Sequence, residues 1–292
     1  MKSWSSRKHP RILRALRAIG CAALFSSAIA AEEPAALPPI STPGWKHEEL
    51  RRFVAPEARQ GVAVDTDFVY VISNFAIGKY RKDSGARVAL WEGPEHGPVS
   101  HLNAGIVRGD RLFCAHSNYP AIPMLSSVEI WDTATMKHVG THSFGQMDGS
   151  LTWLDWHDGK WFACFAHYGG TRAAPGRDPS WTQVIAFDDQ WRRLEGWALP
   201  ADLVARLAVR GYTCSGGGFG PGGFLYATGH DAKELYVLEL PEAGTSLKWI
   251  ATVPIAAEGQ AFSWDPKNPA HLYTILKRTH EVIVERIHRP AA

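Results

Sequence analysis

The chain has 292 residues, with 31 Lys and Arg against 29 Asp and Glu and a formal net charge of +2. That balance, with no basic block outside the first thirty residues, argues against nucleic acid as a partner. Apolar residues make up 45% of the chain, enough for a substantial core, and no stretch reaches the ~20 apolar residues of a membrane span.

Residues 1–30 read as a secretory signal peptide. Arg7, Lys8, Arg11, Arg14 and Arg17 precede the short apolar run AIGCAALFSSAIA, and Ala28-Ile29-Ala30 offers a small-x-small cleavage site. The expectation is an exported protein, periplasmic or secreted, with no membrane attachment once the signal is cleaved. Residues 31–48 read as a linker. The mature chain then has three cysteines, Cys114, Cys164 and Cys214, an odd count that implies no disulfide framework. Cys114 and Cys164 lie in apolar strand runs and read as small buried hydrophobes.

From residue 49 onward, four strand-like stretches recur in fixed order. The first of each set reads GVAVD from Gly61, NAGIV from Asn103, SLTWLD from Ser150, GGGFGPG from Gly216 and GQAFSWD from Gly259. Turns rich in Asp, Gly, Asn or Pro lead to the second stretches, FVYVIS, RLFCAH, KWFACFAH, FLYATGH and HLYTIL. The third stretches are IGKYRK, SVEIWD, QVIAFD, ELYVLEL and EVIVERI, and most alternate with the period of two that a strand requires. Only four fourth stretches follow their own third one: VALWEG, KHVGTHSF, RLEGWALP and KWIATVPI. The missing strand stands at the other end, in ELRRFVA, so that residues 49–55 complete the last sheet and close a ring. The second-strand aromatics Tyr70, Phe113, Phe162, Tyr226 and Tyr273 are spaced by 43, 49, 64 and 47 residues, so the long interval is an insertion and not a sixth unit. Helical periodicity is confined to Ala201–Val209 within it.

The expected fold class is therefore all-β. One domain over residues 49–288 forms five four-stranded antiparallel blades. The pattern resembles the five-bladed β-propeller proteins over the whole mature chain, and AEGQAFSWDPKNPAHLYTI is similar to strands of secreted propellers loosely called lactonase-like or cycloisomerase-like. The resemblance implies an architecture and no particular reaction, since propellers host hydrolases, lyases, isomerases, oxygenases and binding modules alike. Those lactonase-like enzymes usually have more blades, and none of their catalytic residues is carried over.

In such a ring, loops before first strands and loops after second strands open on one face. This gathers His101 and Asn103, His116 and Asn118, His167, His230 with Asp231, Asn74, and Lys277 with Arg278 on a single rim. Gln60, Asp148, Cys214 with Ser215, and Glu258 with Gln260 precede the other first strands. The three longest loops fall on the same side, bringing Tyr119, Tyr168 and Trp181 as stacking platforms and Arg172 and Arg177 as cations for an anionic group. The opposite rim receives VDTD, VRGD, WHDGK and DPKNPAH, which read as solvated turns.

Histidine is suited both to metal ligation and to proton transfer near neutral pH, and four readings of the rim follow. His101, His116, His167 and His230, or three of them with Glu258, hold a divalent ion such as Zn, Mn or Fe. Carotenoid oxygenases, which hold iron through four histidines, are a distant analogy that differs in blade number and length and in that two histidines here come from one blade. Alternatively the site is metal-free: His116 or His167 is the base, Glu258 or Asp148 the acid, and Lys277 or Arg278 stabilises negative charge. A third reading is a non-catalytic pocket for a polar ligand, and a fourth has the histidines satisfying buried carbonyls. The best functional expectation is a hydrolase or lyase acting on a small polar or sugar-like, optionally anionic, substrate, with His116, His167, His230, Glu258 and Lys277 in the chemistry. The rival is a ligand-binding or interaction propeller without chemistry. Oligomeric state is not encoded in any motif.

Three features are discounted. SGGGFGPGG lacks the Lys-Ser or Lys-Thr and the following helix of a phosphate loop. The tryptophans fall mostly in strands and read as packing, with Trp181 the exception. His138, His142, His157, His271 and His288 lie away from the rim.

Overall fold

The computed structural model describes residues 37–290 apart from 39, 147 and 148. The signal peptide over residues 1–30 and Asp148 therefore lie outside the described residues. The closing strand β1 (Lys46–Val54) comes first. Blade one is β2 (Gly61–Val64), β3 (Phe68–Ile72), β4 (Ala76–Arg81) and β5 (Arg87–Glu92). Blade two is β6 (Leu102–Arg108), β7 (Arg111–Ser117), β8 (Ser126–Asp132) and β9 (His138–Gly145), and blade three is β10 (Ser150–His157), β11 (Lys160–Ala166), β12 (Gln183–Phe187) and β13 (Arg193–Ala198). Blade four is β14 (Gly216–Phe219), β15 (Leu225–Thr228), β16 (Glu234–Glu239) and β17 (Lys248–Pro254). Blade five joins β18 (Ser263–Trp264), β19 (His271–Leu276) and β20 (Glu281–His288) to β1, which pairs antiparallel along the outer edge of β20.

The protein is thus a five-bladed β-propeller whose ring is closed by its own amino-terminal strand. The inner strands are nearly continuous apolar runs, because sheets pack against both of their faces. The outer strands β5, β9 and β13 alternate toward solvent. The turn after β2 shows the local logic. Asp65 Oδ1 accepts the amides of Asp67 (2.8 Å) and Phe68 (2.6 Å), and its Oδ2 accepts the Tyr70 hydroxyl at 2.8 Å, pinning the hairpin to the second strand.

Three boundaries depart from the sequence reading. The closing strand starts at Lys46 and ends at Val54, so the last residues of the expected 31–48 linker are paired strand. The first strand of blade five was expected from Gly259 but is only Ser263–Trp264. Gly259 (φ +53) and Gln260 (φ +67) are left-handed there, which extended backbone cannot be. The first strand of blade four stops at Phe219, where Pro221 opens a short 3-10 turn. The insertion holds α1 (Ala201–Leu207), which buries Leu203 and Leu207 one turn apart and runs into a 3-10 turn over Ala208–Arg210 that Gly211 ends with φ +77.

Along the axis the inner strands close the channel in its middle. Trp153 is fully buried, and an added Cβ at Gly217 would lie 2.3 Å from its ring, so the indole rests directly on the Gly217 backbone. Trp153 belongs with Ala104, Cys214 and Ala261 to one apolar cluster, and its indole N–H donates to Cys214 Sγ at 3.2 Å. One cavity lies on the histidine side of this plug and another on the far side.

Candidate functional site

The cavity on the histidine side measures about 130 Å³, the space of about four waters at ~30 Å³ each. Its floor is polar. In both β6 and β10 a bulge sits next to the channel, at Asn103-Ala104 and at Thr152 respectively, and Asn103 and Thr152 line the cavity there. Asn103 donates to the Leu151 carbonyl at 2.9 Å, and the buried Thr152 hydroxyl has no oxygen or nitrogen partner among the described residues. Gln60, Ser215 and Gln260 complete the floor. Gln60 is aimed by Asn74, whose Oδ1 accepts from Nε2 at 2.5 Å. Gln260 holds a left-handed backbone that costs about 1–3 kcal/mol in a non-glycine residue, a cost tolerated where the surrounding structure dictates the position.

The wall is a belt of rings. His101 lies 5.1 Å from Tyr119, Tyr119 is edge-on to Tyr168 at 5.1 Å, Tyr168 is edge-on to Tyr212 at 6.2 Å, and Tyr212 stacks on His230 at 3.7 Å. Across from the belt Lys277 also lines the cavity. His230 Nδ1 is 2.8 Å from Asp231 Oδ1, and Asp231 also pairs with Arg210 at 3.2 Å. Although burial opposes ionisation of Asp231, His230 and Arg210 hold its carboxyl below the usual range. An imidazole whose Nδ1–H is donated to a carboxylate keeps Nε2 as its acceptor, which is the arrangement of a general base.

The four histidines separate into two pairs. His101 and His230 line the cavity, while His116 and His167 are buried beside it and do not. Both ring nitrogens of His116 are engaged: Nδ1 contacts Ser127 Oγ at 2.8 Å, and Nε2 accepts the Ser100 amide at 3.2 Å. Ser127 in turn donates to Glu129 at 2.6 Å, so His116 ends a polar chain inside blade two. His167 is clamped through its backbone by the hydroxyls of Thr182 and Thr213. His116 sits near the end of β7 and His167 directly follows β11, and neither lines the cavity. Among the described residues no three His, Cys, Asp or Glu side chains are grouped to hold a metal ion.

Of the other expected residues, Tyr119, Tyr168, Asn103, Gln260 and Lys277 do line the cavity. Asp231 and Asn74 support it from behind. Arg172 stands 4.5 Å over the Tyr212 ring without lining it. Asn118 ties its own loop together through Pro123 and Leu125. Glu258 is half-buried and faces Lys233 at 3.9 Å, and Arg278 is exposed on the turn after β19. Trp181 is 48% exposed, covered by Arg177 at 3.7 Å on the flank of blade three and remote from the funnel. Tyr212 and Thr152 were not singled out from the sequence. A bulge shifts the facing of a strand by one residue, so period-two reading could not find Thr152.

Burial, with His116 and Lys277 nearby, pushes His101 down to about 4. Burial, with Arg59 nearby, lowers Lys277, and burial also lowers His116. A histidine whose folded pKa is depressed takes up its proton more readily in the unfolded chain, so it costs nothing above its unfolded value of ~6.5. Stability is then expected to fall as pH drops from about 6.5 toward 4, at up to about 1.4 kcal/mol per pH unit for one such group. Thermal unfolding of wild type and His101→Gln across that window checks this. The variant should show the shallower decline, and parallel declines would contradict the assignment.

No protein-family model and no curated protein matches the chain significantly. Among solved structures it is similar to luciferin-regenerating enzyme, at 12% identity and a TM-score of 0.52, over 85% of this chain and 98% of that one. It is also similar to the WD40 repeats of RRP9 (10% identity, TM-score 0.45, 83% and 97% covered) and to the hydrazine synthase of Kuenenia stuttgartiensis (14%, 0.46, 79% and 70%). At such identities the likeness concerns the fold alone.

Proposed function

We propose that the protein is an exported enzyme of hydrolase or lyase type that takes a very small polar substrate into the funnel between His101, His230 and Lys277. The His230–Asp231 pair carries this reading, because it places a carboxylate-oriented imidazole in the wall of a polar cavity. In this reading His230 Nε2 removes a proton from water or from carbon beside a carbonyl. Lys277 meets the oxygen on which negative charge develops, and Asp231 stabilises the imidazolium. His101, neutral at pH 7, contributes hydrogen bonding without charge. Among the described residues, Lys277 is then the single cation lining the cavity, which favours substrates with a carboxylate or an electron-rich carbonyl. The small volume points to a short hydroxy acid, a small lactone or one edge of a sugar ring. Export rests on the signal-like residues 1–30.

A metal-assisted version would draw on His101 and His230 and would need substrate oxygens to complete the coordination. A binding-only version is favoured by one observation, the excess of amide and hydroxyl groups on the floor over titratable ones.

Proton NMR of the purified mature protein with a panel of hydroxy acids, lactones and monosaccharides, run with and without a chelator, tests all three. Turnover of one compound is expected to drop about 10²–10⁴-fold in His230→Gln while its binding changes little. Lys277→Met should chiefly weaken binding. Binding without turnover that both variants abolish would leave a recognition pocket. Activity lost on chelation and restored by Zn or Mn would require the metal. Turnover indifferent to both substitutions would remove the funnel from the chemistry.

A further inference from the structure

The opposite mouth of the channel, where the sequence suggested only solvated turns, holds the larger cavity. It measures about 340 Å³, inside the ~300–1,000 Å³ range of small-molecule sites, whereas the histidine-side cavity falls below it. Gly105, Leu154, Asp155, Gly218, Phe262 and Trp264 form its walls. Asp155, on β10 just beyond the Trp153 plug, is its central polar group. Oδ1 accepts the Trp156 amide at 2.9 Å and Oδ2 the Phe219 amide at 2.6 Å, leaving one acceptor position on each oxygen. No Lys, Arg or His among the described residues pairs with it.

The space in front of this carboxylate is kept by glycine. A Cβ added at Gly218 would stand 3.3 Å from Asp155 Oδ2 and 3.9 Å from the Phe262 ring, so the notch is bounded by a carboxylate on one side and an aromatic ring on the other. Phe262 and Trp264 meet edge to face at 6.1 Å. The remaining titratable group in the wall is Asp65, whose oxygens are already engaged by Asp67, Phe68 and Tyr70. His157 lies behind Phe219, stacked on it at 3.9 Å, and among the described residues no other ionisable group acts on Asp155.

We propose that this cavity binds a small organic cation, a primary or quaternary ammonium group held by Asp155 with its alkyl part against Phe262 and Trp264. A carboxylate deep in a channel is costly to ionise without a counter-charge, and a cation supplies that charge while aromatic faces attract its alkylammonium surface. Anions are repelled by Asp155 and Asp65. An inorganic divalent ion would need several oxygen ligands, and one carboxylate with two free acceptor positions does not provide them. Burial raises Asp155 to about 7 despite the two amide bonds, so a bound cation favours its ionised form and binding competes with protons.

Calorimetric titration of the mature protein with choline and with propylammonium at about pH 8, beside the neutral isostere 3,3-dimethylbutan-1-ol, tests this. Both cations are expected to bind and the alcohol not. Affinity should fall about tenfold per pH unit once the pH drops below the Asp155 value of about 7. Asp155→Asn should weaken binding at least tenfold. Gly218→Ala, which narrows the notch without touching the charge, should weaken the bulkier choline more than propylammonium, and it keeps the test open if the Asn variant unfolds. Equal binding of the alcohol, an unaltered affinity in Asp155→Asn, or no heat from either cation at millimolar concentration would overturn the proposal.

Discussion

A chain beginning at Ala55 is expected to have no cooperative unfolding transition and to aggregate. Removal of β1 strips β20 of its partner at eight paired positions and leaves a free inner-strand edge of the kind that recruits other chains. It also deletes Phe53, which packs against Tyr80 at 5.7 Å, and Trp45, buried edge-on against Phe224 and Tyr226. Loss of one such aromatic costs about 3–5 kcal/mol, and a domain's whole net stability is about 5–15 kcal/mol. The same deletion removes His47 from the fully buried carboxylate of Glu285, which His47 contacts at 2.6 Å. The amino-terminal segment further latches blade four, since Thr42 and Thr252 exchange hydrogen bonds across the gap before β1. Circular dichroism melts of the shortened chain, alone and with a synthetic peptide of residues 37–54, provide the check. The peptide should restore a sharp transition, and a cooperative melt without it would contradict the closure.

Trp153→Ala should be the most damaging single substitution near the channel, at about 3–5 kcal/mol. For a domain of this size that corresponds to a drop in Tm of about 6–20 °C. The indole is fully buried, rests on Gly217 and satisfies its N–H through Cys214, so nothing nearby can collapse into the space without moving an inner strand. The vacated volume would also join the two cavities. Scanning calorimetry gives the first effect. The second should appear as faster hydrogen exchange at β10 and β14 amides than the fall in global stability explains. Trp153→Phe, which keeps most of the volume, should lose much less, and an alanine variant melting within a few degrees of wild type would show that the plug is not what separates the mouths.

The candidate site was partly legible in the sequence. His101, His230, Asn103, Tyr119, Tyr168, Gln260 and Lys277 were gathered on one rim from the repeat, and they do share a cavity. His116 and His167 were gathered by the same reasoning but are buried beside the cavity without lining it. Each stands at or just past the end of a second strand, where a one-residue difference in facing separates channel from blade interior, and repeat position alone cannot resolve one residue. Glu258 and Trp181 were drawn in by loop placement, and their loops carry them outward to Lys233 and to the flank of blade three. Asp155 was passed over because WLDWHDGK reads as a strand running into a polar turn. Nothing local distinguishes its carboxylate from the exposed Asp158 three residues later.

The number of blades, the strand order within each and the closure by an amino-terminal strand follow from the sequence by itself. Alternation, turn chemistry and repeat spacing are properties of neighbouring residues, and a strand too few at one end must be supplied from the other. What faces the axis was decided only in the tertiary structure. The bulges in β6 and β10, the left-handed Gln260 and the close approach at Gly217 and Gly218 arise from five sheets converging on one line, where the room for a side chain depends on residues from other blades. The half-buried setting of Asp155 and the division of the channel by Trp153 are consequences of that convergence, and so are the two unlike mouths it leaves.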